Sequence, residues 1–129
     1  MNTKKTKEVA LANLHNSWLL SLATYNLHLE QINQLVTKLE MYIKDQYDFK
    51  QIKIIQNKIN QEKIISKTLI LEIKKLKEHF LKRSERNLIT VSDLIENNRV
   101  RDKVRKTEQT VFMLNNEVNK LNTIVGVRK

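Results

Sequence analysis

The stretch that decides the fold is NNRVRDKVRKTEQTVFMLNNEVNKL, residues 97–121. It has the outline of a basic leucine zipper, because Asn97 stands eight positions before Arg105 and Leu114 and Leu121 follow a heptad apart. A zipper helix, however, needs small residues where Arg101 stands, so that it can lie against the bases of the major groove. Two leucine heptads are also too short to hold a dimer.

An apolar stripe runs straight through the supposed basic region. It advances by threes and fours, which is the spacing of one helix face, and comprises Val100, Val104, Thr107, Val111, Leu114, Val118, Leu121 and Val125. A free DNA-reading helix has no use for such a stripe, whereas a helix packed in a bundle requires it. The stretch is thus interpreted as one buried edge and one basic face.

Two further stripes of the same kind precede it. The first has a single extra step of four near Trp18 and comprises Leu11, Leu14, Trp18, Leu22, Tyr25, Leu29, Ile32, Val36, Leu39 and Ile43. The second carries two polar residues at core positions and comprises Ile52, Ile55, Ile59, Glu62, Ser66, Leu69, Ile73, Leu76 and Phe80. The chain therefore contains three amphipathic helices.

Residues typical of helix ends lie between the stripes. Asp48 with Gln51 and Thr90 with Asp93 have the spacing of capping boxes, in which each side chain satisfies a free amide of the first turn. Gly126 follows the last stripe, where a left-handed residue commonly ends a helix.

These boundaries predict helices near 6–44, 48–84 and 91–125 within a single domain, residues 1–129. Helices of about 36 residues are roughly 54 Å long at 1.5 Å per residue. Short connections force consecutive helices to run antiparallel. The predicted fold is all-α, an up-down-up antiparallel three-helix bundle with coiled-coil-like packing.

Two segments, WLLSLATYNLHLEQINQL early and RDKVRKTEQTVFMLNNEVNKL late, carry a resemblance to known proteins. Together they cover less than a third of the chain. On these segments the chain resembles a group of uncharacterised bacterial helical proteins. The resemblance implies a long helical bundle of unknown role and brings no catalytic residues with it.

Composition agrees with long elements and few turns, since the chain has one Gly and no Pro. The absence of Cys suits a reducing compartment, and we expect a cytoplasmic location. The segment from Val9 to Leu29 has no formal charge, but its many polar residues exclude integral membrane insertion. The net charge of +10 favours an acidic partner, although an AT-rich genome, with 18 Lys against six Arg, would also raise it.

Motifs for catalysis or metal binding are missing from the sequence. None of the three His residues has a metal ligand at helical spacing, so we expect surface or edge histidines. A single Gly cannot build a phosphate loop, and no Ser lies in a nucleophile turn. We predict a non-enzymatic protein with no cofactor, no metal site and no identified small-molecule substrate.

A polar layer is expected in the middle of the bundle. If the loops centre near residues 46 and 87, antiparallel register brings together Tyr25, His28, Glu62, Ser66, Thr107 and Glu108. Buried carboxylates beside a His can bind a ligand or metal or transfer protons. Polar core residues also fix helix register at some cost in stability, and this structural interpretation is preferred.

A basic end is the second candidate site. Up-down-up topology gathers most of the charge excess at the end that holds the second loop. The residues assigned to it are Lys74, Lys75, Lys82, Arg83, Arg86, Arg99, Arg101, Lys103, Arg105 and Lys106. They suit an acidic protein partner or, alternatively, nucleic acid or a ribonucleoprotein surface. A solvated face with internal ion pairs, such as Asp102–Lys106 and Glu78–Lys82, is the competing interpretation.

The first helix is the third candidate. Leu19, Leu20 and Leu27 lie off its main stripe and widen its apolar face. A partner helix or a second copy of the chain would cover this face. The sequence thus predicts a helical interaction protein with a lateral apolar face and a basic end.

Overall fold

A computed structural model describes residues 3–86 and 88–128 of the chain, with side chains described outside 3–10, 84 and 125–128. These residues form three α-helices and no strand: α1 (Thr3–Glu40), α2 (Gln46–Glu85) and α3 (Val91–Arg128). Each helix packs against the other two. The predicted all-α three-helix bundle is confirmed, whereas coiled-coil packing in the strict sense stays a prediction.

Side-chain pairs between helices show the register. The α1–α2 pairs Glu40–Lys53, Glu30–Lys63 and Asn16–Lys77 are each centred between residues 46 and 47. The α2–α3 pairs Glu72–Lys103 and Lys58–Glu117 are centred between residues 87 and 88. The predicted loop centres of 46 and 87 were therefore correct to within one residue, and neighbouring helices run antiparallel.

The first connection differs from the prediction at both ends. Helix α1 ends at Glu40 rather than near residue 44, and a tight turn follows in which the Tyr42 amide donates to the Leu39 carbonyl oxygen (3.0 Å). The N-cap of α2 is Asp45, whose Oδ1 accepts from the Tyr47 amide (2.8 Å). The prediction that Asp48 caps α2 was wrong, because Asp48 lies inside the first turn and is buried.

The second connection was predicted correctly. The Thr90 amide donates to Asp93 Oδ2 (2.9 Å) and the Asp93 amide donates to Thr90 Oγ1 (3.2 Å), which is a reciprocal capping box. Helix α3 starts at Val91 as expected. It continues through Gly126 to Arg128, so Gly126 does not end it, and the Val125 side chain lies outside the described side chains.

Within the described residues the core consists of two separate clusters of apolar side chains. The cluster near the first loop comprises Leu29, Ile32, Val36, Leu39, Ile52, Ile55, Ile59, Val111, Leu114, Val118 and Leu121. The cluster near the second loop comprises Trp18, Leu22, Leu69, Ile73, Leu76, Phe80, Val100 and Val104. Between them lie Glu62, Ser66 and Thr107, so the predicted polar layer divides the core.

Candidate interaction surfaces

The ten residues of the basic end lie on α2, α3 and the connection between them. Seven are exposed, and Arg83, Arg101 and Lys103 are half-buried. Lys4, Lys5 and Lys7, which the sequence also places at this end, have side chains outside the described ones.

Half of these cations have an acidic partner on the same chain. The five ion pairs are Lys82–Glu78 (3.5 Å), Arg83–Asp93 (3.6 Å), Arg99–Glu96, Arg101–Asp102 (3.2 Å) and Lys103–Glu72 (3.1 Å). The predicted Glu78–Lys82 pair is confirmed, but Asp102 pairs with Arg101 and not with Lys106. Exposed pairs of this kind add little stability. Their main effect here is to neutralise much of the local charge.

The other five cations do not share one face. Among the described side chains, no acidic group forms an ion pair with Lys74, Lys75, Arg86, Arg105 or Lys106. Lys106 borders the α2–α3 groove. Residues seven apart share a helix face, so Arg105 lies on the side of Phe112, which lines the α1–α3 groove. The unpaired charge is thus spread around the bundle instead of forming a single basic patch.

The predicted polar layer is split between two open grooves. On the α1–α3 side, Tyr25, His28 and Glu108 line a groove of about 510 Å³. On the α2–α3 side, Glu62 and Thr107 line a groove of about 340 Å³. The six residues do lie at one level of the bundle, as predicted, but His28 is exposed and lines a different groove from Glu62. The less favoured interpretation, a buried carboxylate beside a His, therefore fails for Glu62, and His28 instead shares its groove with the exposed Glu108.

Two atoms of the layer are buried without a hydrogen-bond partner among the described residues: Glu62 Oε2 and Ser66 Oγ. Ser66 is 0% exposed. Burial raises the pKa of Glu62, and the positive charge of Lys106 opposes this rise. Thr107 satisfies its own hydroxyl, which donates to the Lys103 carbonyl oxygen (3.1 Å).

Tyr25, at the same level of the bundle, is a second residue whose pKa is shifted. Burial raises the pKa of Tyr25, and the nearby charge of Glu108 raises it further. Tyr25 also packs against both apolar clusters. Tyr25 therefore bridges the two halves of the core and also lines the α1–α3 groove.

A buried polar pair that the sequence did not reveal joins α1 to α3. His15 Nε2 lies 2.7 Å from Asn97 Oδ1, and His15 is 1% exposed. Its ring contacts Trp18 (5.3 Å between centroids) and Phe80 (5.5 Å). Burial lowers the pKa of His15, the bond to Asn97 opposes this, and the charge of Lys77 lowers it further. The prediction of surface or edge histidines was wrong for His15 and right for His28 and His79.

A signal for this pair was present in the sequence. Leu14, which the first stripe includes, is exposed. If His15 is counted in place of Leu14, the stripe advances by a regular alternation of four and three from Leu11 to Ile43, and the extra step near Trp18 disappears. The polar character of His15 hid this regularity.

The outer face of α1 carries exposed apolar side chains. Leu20 is 71% exposed and Leu27 is 58% exposed. Leu19 differs from both, because it is half-buried and packs against the cluster near the second loop. Leu20 and Leu27 thus form the lateral apolar face, and Leu19 belongs to the edge of the core.

Further searches of the described residues concern metals and membranes. No three His, Asp or Glu side chains in this part of the chain converge as metal ligands would. None of the helices, in the residues described, has a stretch apolar enough to cross a lipid bilayer.

Comparison with known proteins gives no relative from which a role can be transferred. No protein-family model matches the sequence, and neither the curated proteins nor the solved structures compared with it give a match. The resemblance to bacterial helical proteins stays a prediction.

Proposed function

We propose that this chain is a non-enzymatic helical interaction protein that binds a partner through the outer face of α1. The observation that supports this most is the exposure of Leu20 and Leu27 on a helix face that has no charged residue between Val9 and Leu29. In a chain with a net charge of +10, a helix face that lacks Lys and Arg and exposes two Leu side chains suits contact with another protein. The expected cytoplasmic location stays part of the proposal.

The basic end is proposed to strengthen such an interaction when the partner is acidic. Lys75, Arg105 and Lys106 support this role, since they are exposed and have no ion-pair partner among the described side chains. Arg99 and Arg101 contribute less, because Glu96 and Asp102 neutralise them.

The test of the α1 face is affinity capture from native lysate, with and without nuclease. The Leu20→Ser/Leu27→Ser variant is compared with the wild type. Ile64→Ser/Leu71→Ser is the matched control, because these residues have similar exposure on α2. We expect the α1 variant to lose partners that the control keeps. Identical captured proteins for all three forms, together with a wild type that stays monomeric, would contradict the proposal.

Nucleic-acid binding is the alternative, and the unpaired cations at the basic end are the observation that favours it. Phosphate contacts release counterions, so each lost contact changes the slope of log K against log salt by about 0.9. The Lys75→Ala/Arg105→Ala/Lys106→Ala variant is compared with Lys82→Ala/Arg99→Ala/Arg101→Ala, whose cations are paired. If nucleic acid is the partner, the first variant loses retention on DNA at roughly 0.2 M salt and the second largely keeps it. Equal retention of both variants and the wild type would contradict this alternative.

A further inference from the structure

The outer face of α1 forms a continuous strip of exposed residues. These residues occupy the three heptad positions farthest from the core and comprise Asn13, Asn16, Ser17, Leu20, Ala23, Thr24, Leu27, Glu30, Gln31 and Gln34. Glu30 is the single formally charged residue of this strip, and Lys63 forms an ion pair with it (2.9 Å). The corresponding outer faces of α2 and α3 carry several Lys and Arg residues. The strip is thus the neutral side of a basic molecule.

The strip has nearly the same chemistry when it is read in either direction. About a centre between Ala23 and Thr24, Leu20 corresponds to Leu27, and the small residues Ala23 and Thr24 correspond to each other. The amides farther out correspond in the same way, Asn16 to Gln31 and Asn13 to Gln34. Ser17 and Glu30 are the one unlike pair. A face of this kind is self-complementary to an antiparallel copy of itself.

We propose that the strip docks a second copy of this chain, antiparallel to the first, with a two-fold axis passing between Ala23 and Thr24. The inference deepens the proposed function, on which it rests, by naming the partner of the α1 face. A two-fold interface is isologous, so residue i of one copy contacts residue j of the other and the reverse. The strip meets this requirement along its centre line, since Leu20 of each copy faces Leu27 of the other and Asn13 faces Gln34; on the flanks, Asn16, whose Oδ1 accepts from Lys77 (2.7 Å), shares an axial level with Gln31.

The distribution of charge also favours a second copy of the chain as the partner, and an antiparallel arrangement of the two copies. Two copies with a net charge of +10 repel each other, and the strip itself contains no Lys or Arg, although Lys77 and Lys63 of α2 reach its edge at Asn16 (2.7 Å) and Glu30 (2.9 Å). The antiparallel arrangement places the second loop of one copy, with its surrounding bases, far from that of the other. A parallel arrangement would bring both loops to the same end of the dimer.

The geometry of the centre permits close contact. Ala23 and Thr24 are small, so two helix backbones can approach each other between the flanking leucines. The span from Asn13 to Gln34 is roughly 32 Å at 1.5 Å per residue. Since two leucines per copy supply most of the apolar contact, we expect a weak dimer that forms above roughly 10 µM.

Cysteine cross-linking tests the arrangement in the full chain, which has no natural Cys. Thr24→Cys places thiols beside the axis, and we expect it to form a disulfide-linked dimer under mild oxidation. Leu20→Cys alone leaves its thiols about 10 Å apart along the axis, beyond disulfide reach. A mixture of Leu20→Cys and Leu27→Cys should form the mixed dimer. Thr68→Cys, at an exposed threonine of α2, is the control for random collision.

Sedimentation of the wild type from about 5 to 500 µM accompanies the cross-linking, a range that brackets the expected association. Mass increasing with concentration, together with cross-linking of Thr24→Cys at least about tenfold faster than Thr68→Cys, supports the proposal. A monomer at every concentration with equal rates for both variants overturns it. Leu20→Cys cross-linking by itself as fast as Thr24→Cys overturns it too, because that result indicates parallel helices.

The two proposals fail in different ways. If the wild type is monomeric but Leu20→Ser/Leu27→Ser still loses captured partners, the second-copy inference is wrong and the interaction function stands. If the chain dimerises through the strip but captures no other protein through it, the dimer is confirmed, and the partner of the α1 face is a second copy of the chain.

Discussion

Replacing Ser66 by Ala is expected to stabilise the protein. Ser66 Oγ is fully buried in the polar layer and has no hydrogen-bond partner among the described residues. A buried polar atom left unsatisfied costs about 1–3 kcal/mol, and Ser→Ala in a helix interior gains roughly 0.5 kcal/mol in propensity. The lost packing of one oxygen atom offsets part of this gain. We expect a net increase of about 1.5 kcal/mol in the free energy of unfolding.

Urea denaturation followed by circular dichroism measures the effect. With an m value of roughly 2 kcal/mol/M, the midpoint should rise by about 0.7 M. Thr68→Ala is the control, since its hydroxyl, unlike that of Ser66, is exposed and already satisfied: it donates to the Ile64 carbonyl oxygen four residues back (3.1 Å). We expect the control to change stability by no more than about 0.5 kcal/mol.

A lower midpoint for Ser66→Ala would refute this reasoning. It would mean that the hydroxyl has a partner in solution, such as a buried water or a ligand in the α2–α3 groove. That outcome would favour the binding interpretation of the polar layer over the structural one.

Three further predictions follow from buried or capping side chains. Glu62→Leu should raise the free energy of unfolding more at pH 7.5 than at pH 4. A carboxyl whose pKa is raised in the folded state contributes stability below its unfolded pKa and loses it as pH rises through the folded pKa. Urea midpoints at both pH values measure the difference, and equal gains would contradict the prediction. Asn97→Ala should lower the free energy of unfolding by about 2 kcal/mol, since it leaves the buried His15 without its partner, whereas the control Asn98→Ala, at an exposed position, should be nearly neutral. Because the pKa of His15 is lowered on folding, the stability of the wild type should fall as pH drops below about 6.5. The His15→Leu variant should lack this loss. Asp93→Ala should lower the free energy of unfolding by about 1 kcal/mol through loss of the α3 cap. Hydrogen bonds from the Thr90 backbone and from His79 lower the pKa of Asp93 to about 2. The stabilisation by this carboxylate in the wild type should therefore persist to pH 4 and be lost as pH falls toward 2, which thermal melts over this range measure.

The fold was predictable because it rests on spacing. Apolar steps of three and four define three helix faces, and short connections then fix the antiparallel order. Loop centres near residues 46 and 87 alone predicted which levels of the helices meet, and the pairs Glu30–Lys63 and Glu72–Lys103 lie where those centres place them. Ends were less predictable, since capping by Asp45 and by Asp48 look alike in sequence and only backbone geometry distinguishes them.

The candidate sites were predictable in level but not in direction. Residues such as His28 and Glu62 do lie at one height of the bundle, yet rotation about each helix axis separates them into different grooves. The same rotation places Lys106 and Arg105 beside different grooves. His15 was missed for a different reason: its polar character hid the regular alternation of four and three that runs through it, so Leu14 was placed on the stripe in its stead.

The division of the core by the polar layer has a consequence for cooperativity. Each apolar cluster contains buried residues of all three helices, and among the described side chains Tyr25 is the one that packs against both. Each half therefore resembles a short bundle of its own, and the two can open as separate units. In native-state hydrogen exchange, amides around Ile55 and Leu114 should share one opening free energy and those around Ile73 and Val100 another. Denaturant should then resolve two protection groups along each helix, with the change at the level of Ser66.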